Sequence, residues 1–180
     1  MAKAELFFEE LWLSEGGYSN HKSDKGGATS AGGVTLKLLK TLKIDKDKNG
    51  IINEADLKKL TKQDVYKIFK STFWDSVKAD GIYTQAIANI LVDWVYNSGG
   101  SVIKKFQRIL KIEFMMNCDD DGIVGPQTIY YINMVDQKAF FDSIKRARLR
   151  YYEGIVKEDP TQVAFIKGWK NRLNKFEYNV

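Results

Sequence analysis

Hydrophobic residues recur along most of the chain at helical spacing, and no alternating pattern is longer than a few residues. The strongest run covers residues 85–97, where Ile87, Ile90, Leu91 and Trp94 follow the i, i+3, i+4, i+7 order. Weaker runs predict helices over 36–44 and 138–156. The pattern therefore predicts a mainly α fold with 85–97 as its central core helix.

The first predicted helix ends at an acidic residue. Its apolar positions are Leu6, Phe7, Phe8, Leu11 and Trp12, and the pattern stops at Glu15, before two glycines. Burial beside aromatic side chains and the negative end of a helix both raise the pKa of a carboxyl group. A raised pKa suits a general acid near neutral pH. A glutamate in this position is more often a solvated surface residue, so both interpretations stay open.

A polar, glycine-rich segment follows Glu15 and extends to residue 35. If it folds back over the end of the helix, it brings Asp24, Thr29 or Thr35 close to Glu15. The sequence alone does not choose among the three.

Residues 45–56 match the pattern of a calcium-binding loop. Side-chain oxygens fall at positions 1, 3, 5, 9 and 12, glycine is at position 6, and Ile51 offers its carbonyl oxygen at position 7. The predicted ligands are Asp45, Asp47, Asn49, Ile51, Asn53 and Asp56. Calcium sensors generally pair their loops, so a single loop favours a structural calcium ion over a calcium switch, with a solvated acidic turn as the alternative. The loop is closed by aspartate instead of the usual glutamate, and the shorter side chain would bind the ion more weakly.

The composition indicates one compact protein without a membrane span. The 180 residues are 44% hydrophobic, include two prolines, and contain no apolar run of eighteen residues. Cys118 is the only cysteine, which excludes an internal disulfide and fits synthesis in a reducing cytoplasm. No signal peptide is recognised at the N-terminus.

The net charge of +5 is concentrated near the C-terminus. Residues 145–175 hold nine Lys or Arg and three acids, and Lys145, Arg146, Arg148 and Arg150 are expected around the outside of the helix over 138–156. A basic surface attracts nucleic acid, anionic membranes or an anionic cell wall, although a plain solvated helix is equally compatible. No nucleic-acid-binding motif is present, so nucleic acid is not an expected partner.

Three sequence segments together resemble the beginning of glycoside hydrolase family 108. They are EGGYSN from Glu15, DKGGAT from Asp24 and GVT from Gly33. Asp93 to Gly99 is similar to a D-x-x-x-N-x-G segment of related muramidases, and DGIVGPQT from Asp121 resembles a peptidoglycan-binding module. The resemblance implies a catalytic segment over 1–100, with the calcium loop inserted, and a wall-binding segment over 101–180, packed into one globular unit.

Family 108 enzymes are lysozyme-like N-acetylmuramidases, often encoded by phages. The resemblance implies a lysozyme-like helical fold with a small hairpin near the active site, Glu15 as catalytic acid, and Asp24 then Thr29 as its partners. Tyr18 and Asn97 are expected sugar contacts. GGATSAGGVT has one residue more than the family pattern, which leaves open whether Thr29 or Thr35 faces the cleft.

The expected activity is therefore hydrolysis of the β-1,4 bond between N-acetylmuramic acid and N-acetylglucosamine in peptidoglycan. The chain would act on the wall after release from the cytoplasm, as phage endolysins do. The alternative is a non-catalytic, calcium-stabilised wall-binding or secretion-activator protein. Release of reducing sugar from purified wall distinguishes the two.

Overall fold

A computed structural model describes residues 1–15, 29–30 and 32–179, without the side chain of Glu15. The chain divides into two compact units, a first unit of Ala4–Thr72 and a second unit of Met1–Lys3 with Phe73–Val180. Nine α-helices occur in the described part. They are α1 Ala4–Glu15, α2 Leu36–Thr41, α3 Glu54–Lys59, α4 Lys62–Phe69, α5 Gln85–Ser98, α6 Ile103–Ile112, α7 Pro126–Met134, α8 Gln137–Glu158 and α9 Val163–Asn174.

Aromatic side chains of α1 and α4 form the core of the first unit. Phe7 and Phe8 of α1 are buried, and their ring centres lie 6.0 and 5.5 Å from that of Phe69 on α4. A capping box between Thr61 and Asp64 starts α4. Burying three phenylalanines stabilises the unit through the large apolar area that each one removes from water.

Two details of the first unit differ from the sequence prediction. Leu6 is 54% exposed, because it lies with Leu13 on the side of α1 opposite the buried Phe7 and Leu11. The second helix ends at Thr41 instead of continuing to residue 44. Lys43 takes a left-handed backbone conformation with φ of 55°, which a continuing α-helix does not allow.

The second unit is built around α5, as predicted. Ile87, Ile90, Leu91 and Trp94 are all completely buried. Helix α8 packs against α5, α6, α7 and α9. The first three residues of the chain join this unit, because the amide of Ala2 donates to the carbonyl of Ile82 at 2.8 Å.

The described residues support a mainly helical fold compatible with that of lysozymes. Their strand-like pairing is limited to one antiparallel bridge between Thr29 and Thr35. Of the helices in the described ranges, none combines the length and the apolar character that a membrane crossing requires.

Candidate functional site

The last residue of α1 is Glu15, the predicted catalytic acid. Its side chain lies outside the described residues, as do Tyr18 and Asp24. The helix itself is well fixed in the first unit, since Phe7, Phe8 and Leu11 are each 3% exposed. The backbone at Glu15 thus continues a helix whose earlier turns are anchored in the core of the first unit, and a catalytic group needs such support.

A glycine turn packs directly on α1 one helical turn before Glu15. Gly32 has φ of +78°, and a Cβ atom built there would lie 2.7 Å from Cε3 of Trp12 and 2.9 Å from Cγ1 of Val65. Both distances are far below van der Waals contact, so only glycine fits without displacing its neighbours. This close approach ties the segment after the predicted catalytic residues to the helix that carries Glu15.

The turn is closed by backbone hydrogen bonds. The amide of Ser30 donates to the carbonyl of Val34 at 2.9 Å, and the amide of Gly33 donates to the carbonyl of Ser30 at 3.1 Å. Ser30 and Val34 are both buried. Thr29 and Thr35 therefore pair at the base of a short, anchored turn.

The two candidate threonines have different local roles. The Oγ1 atom of Thr35 accepts a hydrogen bond from the amide of Leu38 at 3.1 Å and so caps the N-terminus of α2. Thr29 precedes the turn and is half-buried. The helix-capping role of Thr35 favours Thr29 as the threonine of the active site, which stays a prediction.

Asn97 belongs to the second unit, whereas Glu15 and Thr29 belong to the first. Its side chain is exposed, and its Nδ2 atom donates to the carbonyl of Asp93 on its own helix at 2.7 Å. The amide oxygen of Asn97 is not used in that bond. A contact between Asn97 and a sugar stays a prediction.

The second unit contains a buried ionic cluster that the sequence did not predict. Arg148 is completely buried, contrary to the expected solvent-facing position, and its guanidinium donates to Oδ2 of Asp93. Arg172 donates to Oδ1 of the same carboxylate at 2.7 Å. The hydroxyl of Tyr152 and the carbonyl of Ile90 accept further hydrogen bonds from Arg148. Asp93 thus holds helices α8 and α9 to α5.

Three of the predicted metal ligands converge in the loop before α3. One carboxylate oxygen from each of Asp45, Asp47 and Asp56 lies within 4.8 Å of the other two. Asp56 is completely buried, and Gly50 has φ of 84° at the expected sharp turn. Hard carboxylate oxygens at this spacing fit a divalent cation such as calcium.

The loop also contains groups that compete with a cation. Asp56 accepts hydrogen bonds from the amides of Lys46, Asp47 and Asn53. These bonds, led by the one from Asn53, lower the pKa of Asp56 below its ordinary value of 3.8. The ammonium group of Lys59 lies 3.0 Å from Oδ2 of Asp47 and balances part of the negative charge.

The remaining predicted ligands are already part of the hydrogen-bonded loop. Oδ1 of Asn49 accepts from the amide of Ile51, and Oδ1 of Asn53 caps α3 by accepting from the amide of Ala55. The carbonyl of Ile51 accepts a bond of 3.4 Å from the side chain of Asn53. These oxygens lie on the same short loop as the three aspartates.

The aspartate-rich turn before α7 is held by a buried glutamine of α6. Gly122 has φ of 88°, and its amide donates to Oε1 of the buried Gln107 at 2.8 Å. Nε2 of Gln107 in turn donates to the carbonyl of Ile123 at 2.9 Å. One buried amide of α6 thus fixes the turn of the DGIVGPQT segment.

Two family models match consecutive parts of the chain. "Glycosyl hydrolase 108" matches residues 8–99, just over half of the chain, and "Predicted Peptidoglycan domain" matches residues 101–174. Among solved structures, the chain is similar to one described as "Structure of Brucella abortus SagA". The sequence identity is 25% and the TM-score 0.78, over 96% of this chain and 90% of that one. No curated protein matches the chain significantly.

Proposed function

Because the chain belongs to glycosyl hydrolase family 108, we propose that it is an N-acetylmuramidase. The matches to a glycosyl hydrolase and to a peptidoglycan domain support a peptidoglycan hydrolase. The proposal adds the bond that is cut, the β-1,4 linkage between N-acetylmuramic acid and N-acetylglucosamine.

Glu15 is the proposed general acid. It protonates the oxygen of the departing sugar while positive charge develops at the anomeric carbon of the muramic acid. Asp24 then stabilises that charge or activates water, with Thr29 as the second candidate. The observation that supports this assignment is the contact of Gly32 with Trp12, because it ties the turn that follows Thr29 to the helix that ends in Glu15.

Tyr18 and Asn97 are the proposed sugar contacts. An aromatic ring packs on the apolar face of a pyranose, and an amide group pairs with the N-acetyl substituent. The Asp93 carbonyl fixes Nδ2 of Asn97 and leaves Oδ1 to accept from an N–H group of the substrate.

Calcium is proposed as a structural ion of the loop over 45–56. The support is the convergence of Asp45, Asp47 and Asp56 beside the N-terminus of α3. Asn49, Ile51 and Asn53 are the further proposed ligands. Bound calcium would stiffen the loop between α2 and α3 and take no part in the hydrolysis.

The catalytic assignment is tested with Glu15→Gln and with Glu10→Gln as a matched control. Both remove one carboxylate from α1, and Glu10 is exposed. We expect Glu15→Gln to lower the rate of wall lysis by a factor of about 10²–10⁴, the usual share of a general acid. Glu10→Gln should lyse purified peptidoglycan like the parent protein.

Turbidity loss and the release of reducing ends are measured together. If the Glu15→Gln protein lyses walls as fast as the parent, Glu15 is not the catalytic acid. If the parent protein binds insoluble wall and releases no reducing ends, the chain is a wall-binding protein and the hydrolase proposal is wrong.

A further inference from the structure

A cavity of about 570 Å³ lies between α6 and α8 in the second unit. Its walls include Lys105, Arg108, Ile109, Arg150, Tyr151 and Ile155, and these residues define the α6–α8 groove. The volume falls in the range of about 300–1,000 Å³ that is typical of sites for small ligands. The groove lies entirely within residues 101–174, the part that matches the peptidoglycan domain.

A glycine keeps the middle of this groove open. Gly154 lies on the groove side of α8, inside a helix of 22 residues. Glycine destabilises the interior of a helix relative to alanine. Apart from its chain neighbours and the backbone of its own helix, no described atom lies within 4 Å of a Cβ built at Gly154, so packing against other elements gives no reason for the missing side chain. A side chain at this position would extend into the groove.

The groove is lined by three cationic side chains, Lys105, Arg108 and Arg150, and two acidic ones, Glu113 and Glu158. Neither Lys105 nor Arg108 forms an ion pair with any described residue, and the ammonium group of Lys105 lies 5.1 Å from the ring centre of Tyr151. The acid Glu113 is balanced, because it lies 3.5 Å from Arg146 and 3.9 Å from Arg150. Lys105 is therefore available to bind a carboxylate from outside the protein, and Arg108, whose charge also acts on Asp120, adds positive charge beside it.

We propose that the α6–α8 groove binds the stem peptide of peptidoglycan, an inference that rests on the proposed function. Stem peptides combine several carboxylates, small alanine methyl groups and the amino group of a central diamino residue. Lys105 and Arg108 bind the carboxylates, Ile109 and Ile155 contact the methyl groups, and Glu158 at the edge of the groove pairs with the amino group. This chemistry distinguishes the peptide from the glycan strand, which the first unit cleaves.

The experiment measures sedimentation of the full chain with insoluble peptidoglycan, in a Glu15→Gln background that limits lysis. One wall sample keeps its stem peptides, and a second has lost them by amidase treatment. Gly154→Leu fills the groove without removing a charge, and Gly168→Leu is its control, since Gly168 lies on α9 and also has free space around it. Lys105→Gln with Arg108→Gln removes two charges, and Lys167→Gln with Lys175→Gln is the matched control.

We expect both groove variants to weaken binding to intact wall by about tenfold or more, Gly154→Leu because its side chain occupies the groove and the double variant because it loses charge-assisted contacts. The controls should bind like the Glu15→Gln parent, and the amidase-treated wall should bind all proteins equally weakly. Unchanged binding by Gly154→Leu, equal losses in the controls, or full binding to stripped wall would each overturn the proposal. If the groove variants lose binding to duplex DNA to the same extent as binding to the wall, the groove binds polyanions in general. That result would also overturn the proposal.

Failure of the groove and failure of the enzyme assignment give different results. Release of reducing ends is measured on proteins that retain Glu15. If the groove does not bind the stem peptide, the groove variants keep their wall binding while lysis still depends on Glu15. A wrong enzyme assignment abolishes the release of reducing ends, whatever the groove variants do.

Discussion

Asp93 and Arg148 form an ion pair that is closed to solvent, with the two residues 1% and 0% exposed. Arg172 approaches the same carboxylate from α9. Three charges of α5, α8 and α9 therefore meet at one buried point. Their effect on stability depends on all of them being present, because a single charge left in the interior is far more costly than a paired one.

Asp93→Asn should strongly destabilise the protein. The substitution leaves the guanidinium of Arg148 buried without its counter-charge, which lowers the free energy of unfolding by about 3–5 kcal/mol. The control is Glu153→Gln, which breaks the exposed pair with Lys170 and should cost no more than about 1 kcal/mol. Urea unfolding followed by tryptophan fluorescence measures both values. Similar losses in the two variants would contradict the importance of the buried pair.

Gly32→Ala should damage the candidate active site through the turn on α1. The new methyl group collides with Trp12 and Val65 and must adopt a positive φ, which together cost about 1–3 kcal/mol. Wall lysis should fall further than the folded fraction does, because the turn after Thr29 moves away from α1. Gly168→Ala, with free space around it, should keep full lysis. If the Gly32→Ala protein lyses walls normally, the packing of this turn on α1 is not needed for catalysis.

Asp56 should make the stability of the first unit sensitive to acid. Its pKa is lower in the folded chain than the ordinary 3.8, so folding favours the ionised carboxylate. The resulting stability is complete above about pH 5 and is lost as the pH falls through 3.8 toward the folded pKa. Asp56→Asn should lower the melting temperature at pH 7 and flatten its fall below pH 4 or so. Asp119→Asn, at an exposed position, should retain the parent profile.

Lys59 should weaken the binding of calcium to the loop. Its ammonium group lies 3.0 Å from a carboxylate oxygen of Asp47, and removing this competing charge should strengthen binding by about 1 kcal/mol, roughly fivefold. Calcium titration of Lys59→Gln, after treatment with a chelator, measures the change by calorimetry. Lys67→Gln removes the same charge from an exposed position of α4 and should bind like the parent. If calcium neither binds nor raises the melting temperature, the loop is only an acidic turn.

The sequence predicted features that depend on residue spacing. The buried face of α5 follows from its local pattern, and the structure confirms it. Arg148 was expected in solvent because a charged residue in a helical pattern is normally assigned to the exposed face. The pattern contains no information on distant partners. Its burial depends on Asp93, which is 55 positions away, and no local pattern encodes such a pairing.

The same limit applies to the candidate site. The contact between Gly32 and Trp12 joins residues 20 positions apart, and the sequence shows only a glycine-rich segment there. The family resemblance nominated Glu15, Asp24 and Thr29 by motif. The packing that ties their segment to α1 required the three-dimensional arrangement of Gly32, Trp12 and Val65.

Helix α5 has a consequence for recombining such enzymes. It falls in the stretch matched by the hydrolase model, yet its buried partners α8 and α9 come from the stretch matched by the peptidoglycan domain. A chimera joined at Gly99 would pack α5 against helices of a foreign wall-binding segment instead of against its own α8 and α9. A junction before Phe73 would carry α5 along with its own partners, and is the cut that the architecture recommends.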